Sequence, residues 1–143
     1  MKRDFLEILS FTRDELDEIL DLARRLKADL KKGQRPSLLA GKSLAMIFEK
    51  PSLRTRVTFE VGMMQLGGHV VYLTTADVRV GSRESVQDIA RNLERWVDFI
   101  MARTFEHDTL VQLAGPVEIP VINGLSDRHH PCQVLSDCFT LQE

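Results

Sequence analysis

Apolar positions along this chain follow two rhythms. Leu16, Ile19, Leu20, Ala23, Leu26 and Leu30 recur every three to four residues, which marks one face of a helix. Thr12-Arg13-Asp14-Glu15 before them forms a capping box, and Lys31-Lys32-Gly33 supplies a basic last turn and a terminating glycine. Residues 43–48 (Ser-Leu-Ala-Met-Ile-Phe) read differently: a short apolar run bounded by turn signals, as in a buried strand. The two rhythms then alternate. A helix is predicted from Ser52 to about Leu66, closed by Gly67-Gly68, then a strand over 69–73 and a helix over 84–95. A strand over 97–102, a short helix over 107–114 and a strand over 119–122 follow. Pro131 opens a last helix at the position that favours proline. Segments 34–42, 74–83 and 123–130 read as loops.

One helix followed by four strand–helix units predicts an α/β fold, a parallel sheet of about four strands with helices on both faces in three layers. Ligands of such sheets collect at the carboxyl ends of the strands. Polar clusters follow Phe48, Leu73, Ala102 and Ile122, all at those ends.

The 143 residues suit one domain, and a domain of this size buries roughly 70% of its unfolded surface. With 43% apolar and 28% charged residues and a net charge of −2, no global field favours nucleic acid or an acidic membrane. One Trp and one Tyr leave little stacking surface for bases. Anion binding has to come from local placement. Cys132 and Cys138 share the last predicted helix, which is neither a disulfide framework nor a zinc pattern and suits a reducing compartment. The first residues lack the apolar core of a signal peptide, and no apolar run approaches a membrane span, so a soluble cytoplasmic protein is expected.

Ser52-Leu53-Arg54-Thr55-Arg56 stands out because it begins a helix directly after a strand. Helix starts carry unpaired N–H groups and the positive dipole end, and two arginines and two hydroxyls add to them. The plainer reading is a capped helix with solvated arginines. Arg54 and Arg56, two apart, leave the helix in different directions and meet one ligand only at the helix end. Arg103 closes the third strand and must reach water, a carboxylate or a ligand. His130, just before a proline-initiated helix, points at the mouth of the sheet, where it can donate to a growing oxyanion; Gln133 follows one turn in. Their plainer reading is a helix cap and a loop histidine. His129, His130 and Cys132 do not converge as metal ligands, being adjacent. Gly41-Lys42-Ser43 imitates the tail of a P-loop, yet the earlier glycine position is Pro36 and the triplet precedes a strand, so it is rejected.

Together, residues 48–60 (Phe-Glu-Lys-Pro-Ser-Leu-Arg-Thr-Arg-Val-Thr-Phe-Glu), Met101-Ala102-Arg103-Thr104 and His130-Pro131-Cys132-Gln133 resemble the aspartate/ornithine carbamoyltransferase family over essentially the whole chain. Lys50 and the loop 123–133, with Cys132, resemble the ornithine-type branch more than the aspartate-type branch. The resemblance implies two α/β domains, of which this chain, 1–143, is the carbamoyl-phosphate-binding one and lacks the amino-acid-binding one. It implies transfer of a carbamoyl group from carbamoyl phosphate to the side-chain amine of ornithine, giving citrulline and phosphate within arginine biosynthesis, with no metal or organic cofactor. Ser52, Arg54, Thr55 and Arg56 would hold the phosphate; Thr55, Arg103 and His130 would polarise the carbamoyl oxygen; Gln133 would contact the carbamoyl amide. The family is typically trimeric, or built of trimers, through this domain. One departure is Arg79, where the family commonly carries a glutamine or lysine reaching a neighbouring subunit; it would bind a phosphate oxygen in trans or stand as a solvated loop charge. Another acceptor amine, such as putrescine, aspartate or a modified ornithine, and a non-catalytic phosphate-binding or assembly role are the alternatives. The chain alone is expected to be inactive in transfer.

Overall fold

The computed structural model describes residues 2–78 and 84–143, so Arg79 lies outside the described residues. The sheet contains β1 (Ser43–Phe48), β2 (His69–Thr74), β3 (Phe99–Arg103) and β4 (Val121–Leu125), all parallel, in the order β2-β1-β3-β4. Burial of β1 and β3 in the middle of the sheet explains their unbroken apolar sequences; β2 at an edge alternates exposed and half-buried residues.

Helices cover both faces. On one face α4 (Val86–Leu93) and α5 (His107–Ala114) pack Ile89, Ala90, Leu110 and Leu113 against Ala45, Ile47, Ile100, Ala102 and Val121. On the other, Phe59 and Met63 of α2 (Leu53–Gln65) pack against Leu44, Met46, Phe48 and Met101, and α6 (Pro131–Leu141) lies against β4. The alternation of β1 sorts its side chains between the two cores. The chain leaves β1 toward β2 over the α2 face, and leaves β3 toward β4 over the α5 face. The carboxyl ends of β1 and β3 therefore flank the point where the topology reverses, the expected ligand position in an open α/β sheet.

The remaining helix, α1 (Arg13–Lys31), begins with the expected capping box: Glu15 N–H donates to Thr12 Oγ1 (3.3 Å) and Thr12 N–H to Glu15 Oε2 (2.8 Å). Its later turns meet α6, where Lys27 Nζ pairs with Glu143 (2.5 Å) and lies 5.2 Å from the Phe139 ring. The turn closing α2 uses Gly67 at φ 84°, a conformation that favours glycine.

Several boundaries differ from the sequence reading. Part of the predicted loop 74–83 is a short helix, α3 (Thr75–Val78), because the Asp77 carboxylate accepts from Thr74 N–H (2.8 Å) and Thr74 Oγ1 (2.6 Å). The third strand starts at Phe99 instead of Val97, since Asp98 turns aside to accept from Ser43 N–H (2.8 Å) and Lys42 Nζ (2.7 Å). The fourth runs from Val121 to Leu125 rather than 119–122: Asn123-Gly124, read as the start of a loop, stays in the sheet through a bulge. Ala102 pairs with Asn123 and Arg103 with Leu125, which leaves Gly124 as the extra residue. The first ten residues, to which the sequence reading assigned no element, add a bridge from Phe5 to Ile122 beside β4 and a 3-10 turn over Ile8–Ser10. No described helix is long and apolar enough to cross a membrane.

Candidate functional site

The loop from Glu49 to Ser52 leaves the end of β1 and delivers α2 with its amino terminus at the reversal point. Ser52 caps the helix: its Oγ accepts from Thr55 N–H (3.4 Å) and donates to Thr55 Oγ1 (3.0 Å). No carboxylate stands in the first turn of α2, so the positive end of the helix is not neutralised from within. Arg54 is exposed in that turn.

Arg56 is directed elsewhere. Its Nε donates to Glu60 Oε1 (3.0 Å) and its guanidinium lies 3.8 Å from the centre of the Tyr72 ring. The bond to Glu60 holds its proton more firmly than usual. The two arginines of the helix start thus leave in different directions, as their spacing requires, and Arg56 runs back along α2 toward β2.

Arg103 and His130 form the second half of the corner. Arg103 is the last residue of β3, in register with Phe48, and its carbonyl accepts from Glu49 N–H (2.9 Å). This bond ties the α2 loop to the arginine. His130 is the N-cap residue of α6, beside a fully buried Pro131, and its side chain does not cap the helix. Burial, and after it the charge of Arg103, pushes the His130 imidazole below its ordinary value, while Asp137 pulls it up. The charge of Arg103 is thus felt at His130. Among the described residues, Arg103 Nε and His130 Nδ1 are both buried without a hydrogen-bond partner. Buried unpaired donors are expensive, and groups left so at a strand end are poised to bond something outside the protein.

Gln133 is exposed on the first turn of α6, with Nε2 donating to Asp137 Oδ1 (2.8 Å). Cys132 is inert as a nucleophile: burial pushes its thiol up to about 11, and Sγ donates to Asn123 O (3.5 Å). The described residues contain no group of three or more His, Cys, Asp and Glu that would hold a metal ion.

Sequence reading missed two groups that build this corner. Glu49 clamps the loop, with Oε2 accepting from Phe105 N–H (2.6 Å) as its own N–H bonds Arg103 O. Asn123 is fully buried and anchors the segment before His130. The usable signal for Asn123 was a polar amide inside an apolar strand; nothing local marks Glu49.

Taken as chemistry, the corner offers free helix N–H groups, the Ser52 and Thr55 hydroxyls and the Arg54 cation on one side. On the other side stand two unpaired donors, a guanidinium and an uncharged imidazole. An anion bearing a polarisable carbonyl fits that division.

The pattern of the aspartate/ornithine carbamoyltransferase carbamoyl-P binding domain matches residues 3–143. The chain is 52% identical over 141 residues to the ornithine carbamoyltransferase of Deinococcus radiodurans and 51% identical to that of Anoxybacillus flavithermus; each alignment covers 99% of this chain and 45% of the relative. The ornithine carbamoyltransferase structure from Pyrococcus furiosus superposes with a TM-score of 0.96 at 49% identity, over 97% of this chain and 44% of that one. The chain therefore spans about half the length of the curated relatives it matches. Sequence and fold agree: the chain belongs to the aspartate/ornithine carbamoyltransferase family, to its carbamoyl-P binding domain.

Proposed function

We infer that this chain is the carbamoyl-phosphate-binding half of an ornithine carbamoyltransferase. The observation that carries the reading is the pair of buried, unpartnered donors, Arg103 Nε and His130 Nδ1, beside an uncompensated helix start. The phosphate group sits at the start of α2, held by backbone N–H groups, Ser52, Thr55 and Arg54. Arg56 takes part only after leaving Glu60 and Tyr72. The carbamoyl oxygen faces Thr55, Arg103 and His130, and the carbamoyl amide faces Gln133.

The neutral amine of ornithine forms a bond from nitrogen to the carbamoyl carbon. The carbonyl oxygen takes up negative charge, which Arg103 and His130 stabilise more strongly than they do the ground state. Breakage of the bond between the carbamoyl carbon and the bridging oxygen then releases phosphate, which takes up the proton that the amine nitrogen loses, to give citrulline and hydrogen phosphate. Depression of the His130 imidazole suits this role: an uncharged ring with hydrogen on Nδ1 donates to the oxygen.

Contacts to ornithine fall, in this reading, in the part of the relatives' length that the alignment leaves uncovered. Trimer formation through this domain, a role in arginine biosynthesis and a cytoplasmic location complete the proposal. The apolar residues Leu53, Val57, Val61 and Met64, exposed along α2, support the trimer, as does Val71 exposed on β2.

Titration calorimetry with inorganic phosphate and carbamoyl phosphate tests the reading. Both ligands are expected to bind, and Arg54→Ala to weaken both by about tenfold or more. No binding, or binding indifferent to Arg54→Ala, overturns it.

A further inference from the structure

The proposed reaction makes no use of a hydrogen-bond network centred on Asn123, whose side chain is fully buried. Its Nδ2 donates to Leu6 O (2.8 Å) and His129 O (3.2 Å) and lies 3.5 Å from Ser126 Oγ; its Oδ1 accepts from Leu125 N–H (2.9 Å). One amide thus ties the N-terminal segment, the end of β4 and the residue before His130. The backbone repeats the tie, with Phe5 N–H donating to Val121 O (2.8 Å) and Asn123 N–H to Phe5 O (2.9 Å).

His129 is gripped from further directions. Ser126 N–H donates to its carbonyl (3.0 Å), its own N–H donates to Ser126 Oγ (3.2 Å), and its Nε2 lies 3.2 Å from Glu7 Oε2. The His107 ring meets it edge-on at 5.0 Å and places Nδ1 3.0 Å from Ser126 Oγ. His130, next in the chain, has no bond at Nδ1 among the described residues. What aims that imidazole is the backbone before it and Pro131 after it.

We propose that Asn123, together with the Glu7–His129 pair, acts as a positioning device for His130, making the N-terminal segment part of the carbamoyl subsite. This rests on the reading that His130 faces the carbamoyl group. It has a signature that a purely structural role lacks. Loss of positioning weakens carbamoyl phosphate and spares inorganic phosphate, which is held at the start of α2; loss of fold weakens both alike.

The test uses Asn123→Asp, Glu7→Gln and Glu7→Asp in the full chain. The measurements are the His130 imidazole nitrogen resonances at fixed pH and calorimetric affinities for carbamoyl phosphate and inorganic phosphate. In the first two variants the His130 resonances are expected to move and phosphate affinity to hold. Carbamoyl phosphate affinity is expected to fall about threefold in Glu7→Gln and about tenfold in Asn123→Asp, with Glu7→Asp recovering part of the loss. Unchanged His130 resonances, or equal losses for both ligands, overturn the proposal. Should Asn123→Asp not fold, Glu7→Gln decides alone, because that pair is more than a third exposed. Should the unaltered chain bind no carbamoyl phosphate, the functional reading fails instead, and the resonances of the free chain still decide the positioning claim.

Discussion

Glu49 and Phe105 face each other across the ends of β1 and β3: the Phe105 N–H donates to Glu49 Oε2 at 2.6 Å, and Glu49 N–H reaches back to Arg103 O at 2.9 Å. The two bonds fix the loop that launches α2 to the strand that carries Arg103. A carboxylate accepting from a backbone N–H makes a charge-assisted bond, stronger than a neutral one but weakened by exposure to water. Glu49→Ala is expected to cost about 1 kcal/mol in urea unfolding and to weaken phosphate binding several-fold. A variant that keeps phosphate affinity unchanged would show that the loop holds its place without the clamp.

Gly124 is the extra residue of the β4 bulge, and space dictates its identity. A Cβ built there would stand 2.5 Å from Met101 Sδ and 3.3 Å from Ala102 O. Met101 is fully buried, so it cannot swing aside freely. Gly124→Ala is expected to destabilise by about 1–3 kcal/mol in urea unfolding, the range for overpacking a filled core. A change within a few tenths would mean that Met101 repacks and the bulge tolerates a side chain.

Two imidazoles give the chain a pH dependence near neutrality. Burial depresses His107, helped by the charge of His129; burial and then Arg103 depress His130; both fall below the ordinary 6.5. The folded chain keeps them neutral where the unfolded chain takes up protons, so stability rises with pH across that window. Their contribution is fully present above 6.5 and is lost as the pH falls below 6.5 through the depressed folded values. The lowered carboxylates of Glu15, Asp77, Asp98 and Glu143 act separately and further into acid. The urea midpoint is expected to drop between about pH 7 and pH 5.5, and less so in His107→Gln. A flat midpoint over that interval rejects the assignment.

The parts of this architecture that repeat were legible from the chain. Unbroken apolar runs gave β1 and β3, the capping box gave α1, and Pro131 marked α6. Arg103 was singled out because a polar residue at the end of a buried strand needs a partner, and His130 because it precedes a proline-initiated helix; among the described residues Arg103 Nε and His130 Nδ1 are buried and unbonded. What escaped was single-residue in nature. Phe5 pairs with β4 through one bridge and leaves no periodicity to read. Asn123-Gly124 carries turn residues, yet the bulge absorbs the glycine and the N-terminal segment satisfies the amide. Arg56 shows the same limit, since its partners Glu60 and Tyr72 are fixed by the placement of α2 against β2.

Association is tested on the exposed apolar stripe of α2. Leu53, Val57, Val61 and Met64 lie about one turn apart on one face of the helix and are 38–79% exposed, a pattern that water disfavours on a surface helix. If copies of this chain meet there, light scattering is expected to give the mass of three chains, and Val61→Glu to reduce it to one. A single-chain mass for the unaltered protein rejects the trimer in this form of the chain.

Binding and turnover should separate in this chain. In the proposed reading, Ser52, Arg54, Thr55, Arg103 and His130 supply the donors that hold carbamoyl phosphate and meet the growing oxyanion. The chain spans only 45% of the ornithine carbamoyltransferases it resembles. Transfer further requires an amine held uncharged within bonding distance of the carbamoyl carbon. That positioning is worth several orders of magnitude in rate. The purified chain is expected to bind carbamoyl phosphate in calorimetry and to form no citrulline above the uncatalysed background when ornithine is added. Citrulline produced in proportion to the amount of chain, and abolished by Arg103→Ala, would show that this domain alone holds both substrates.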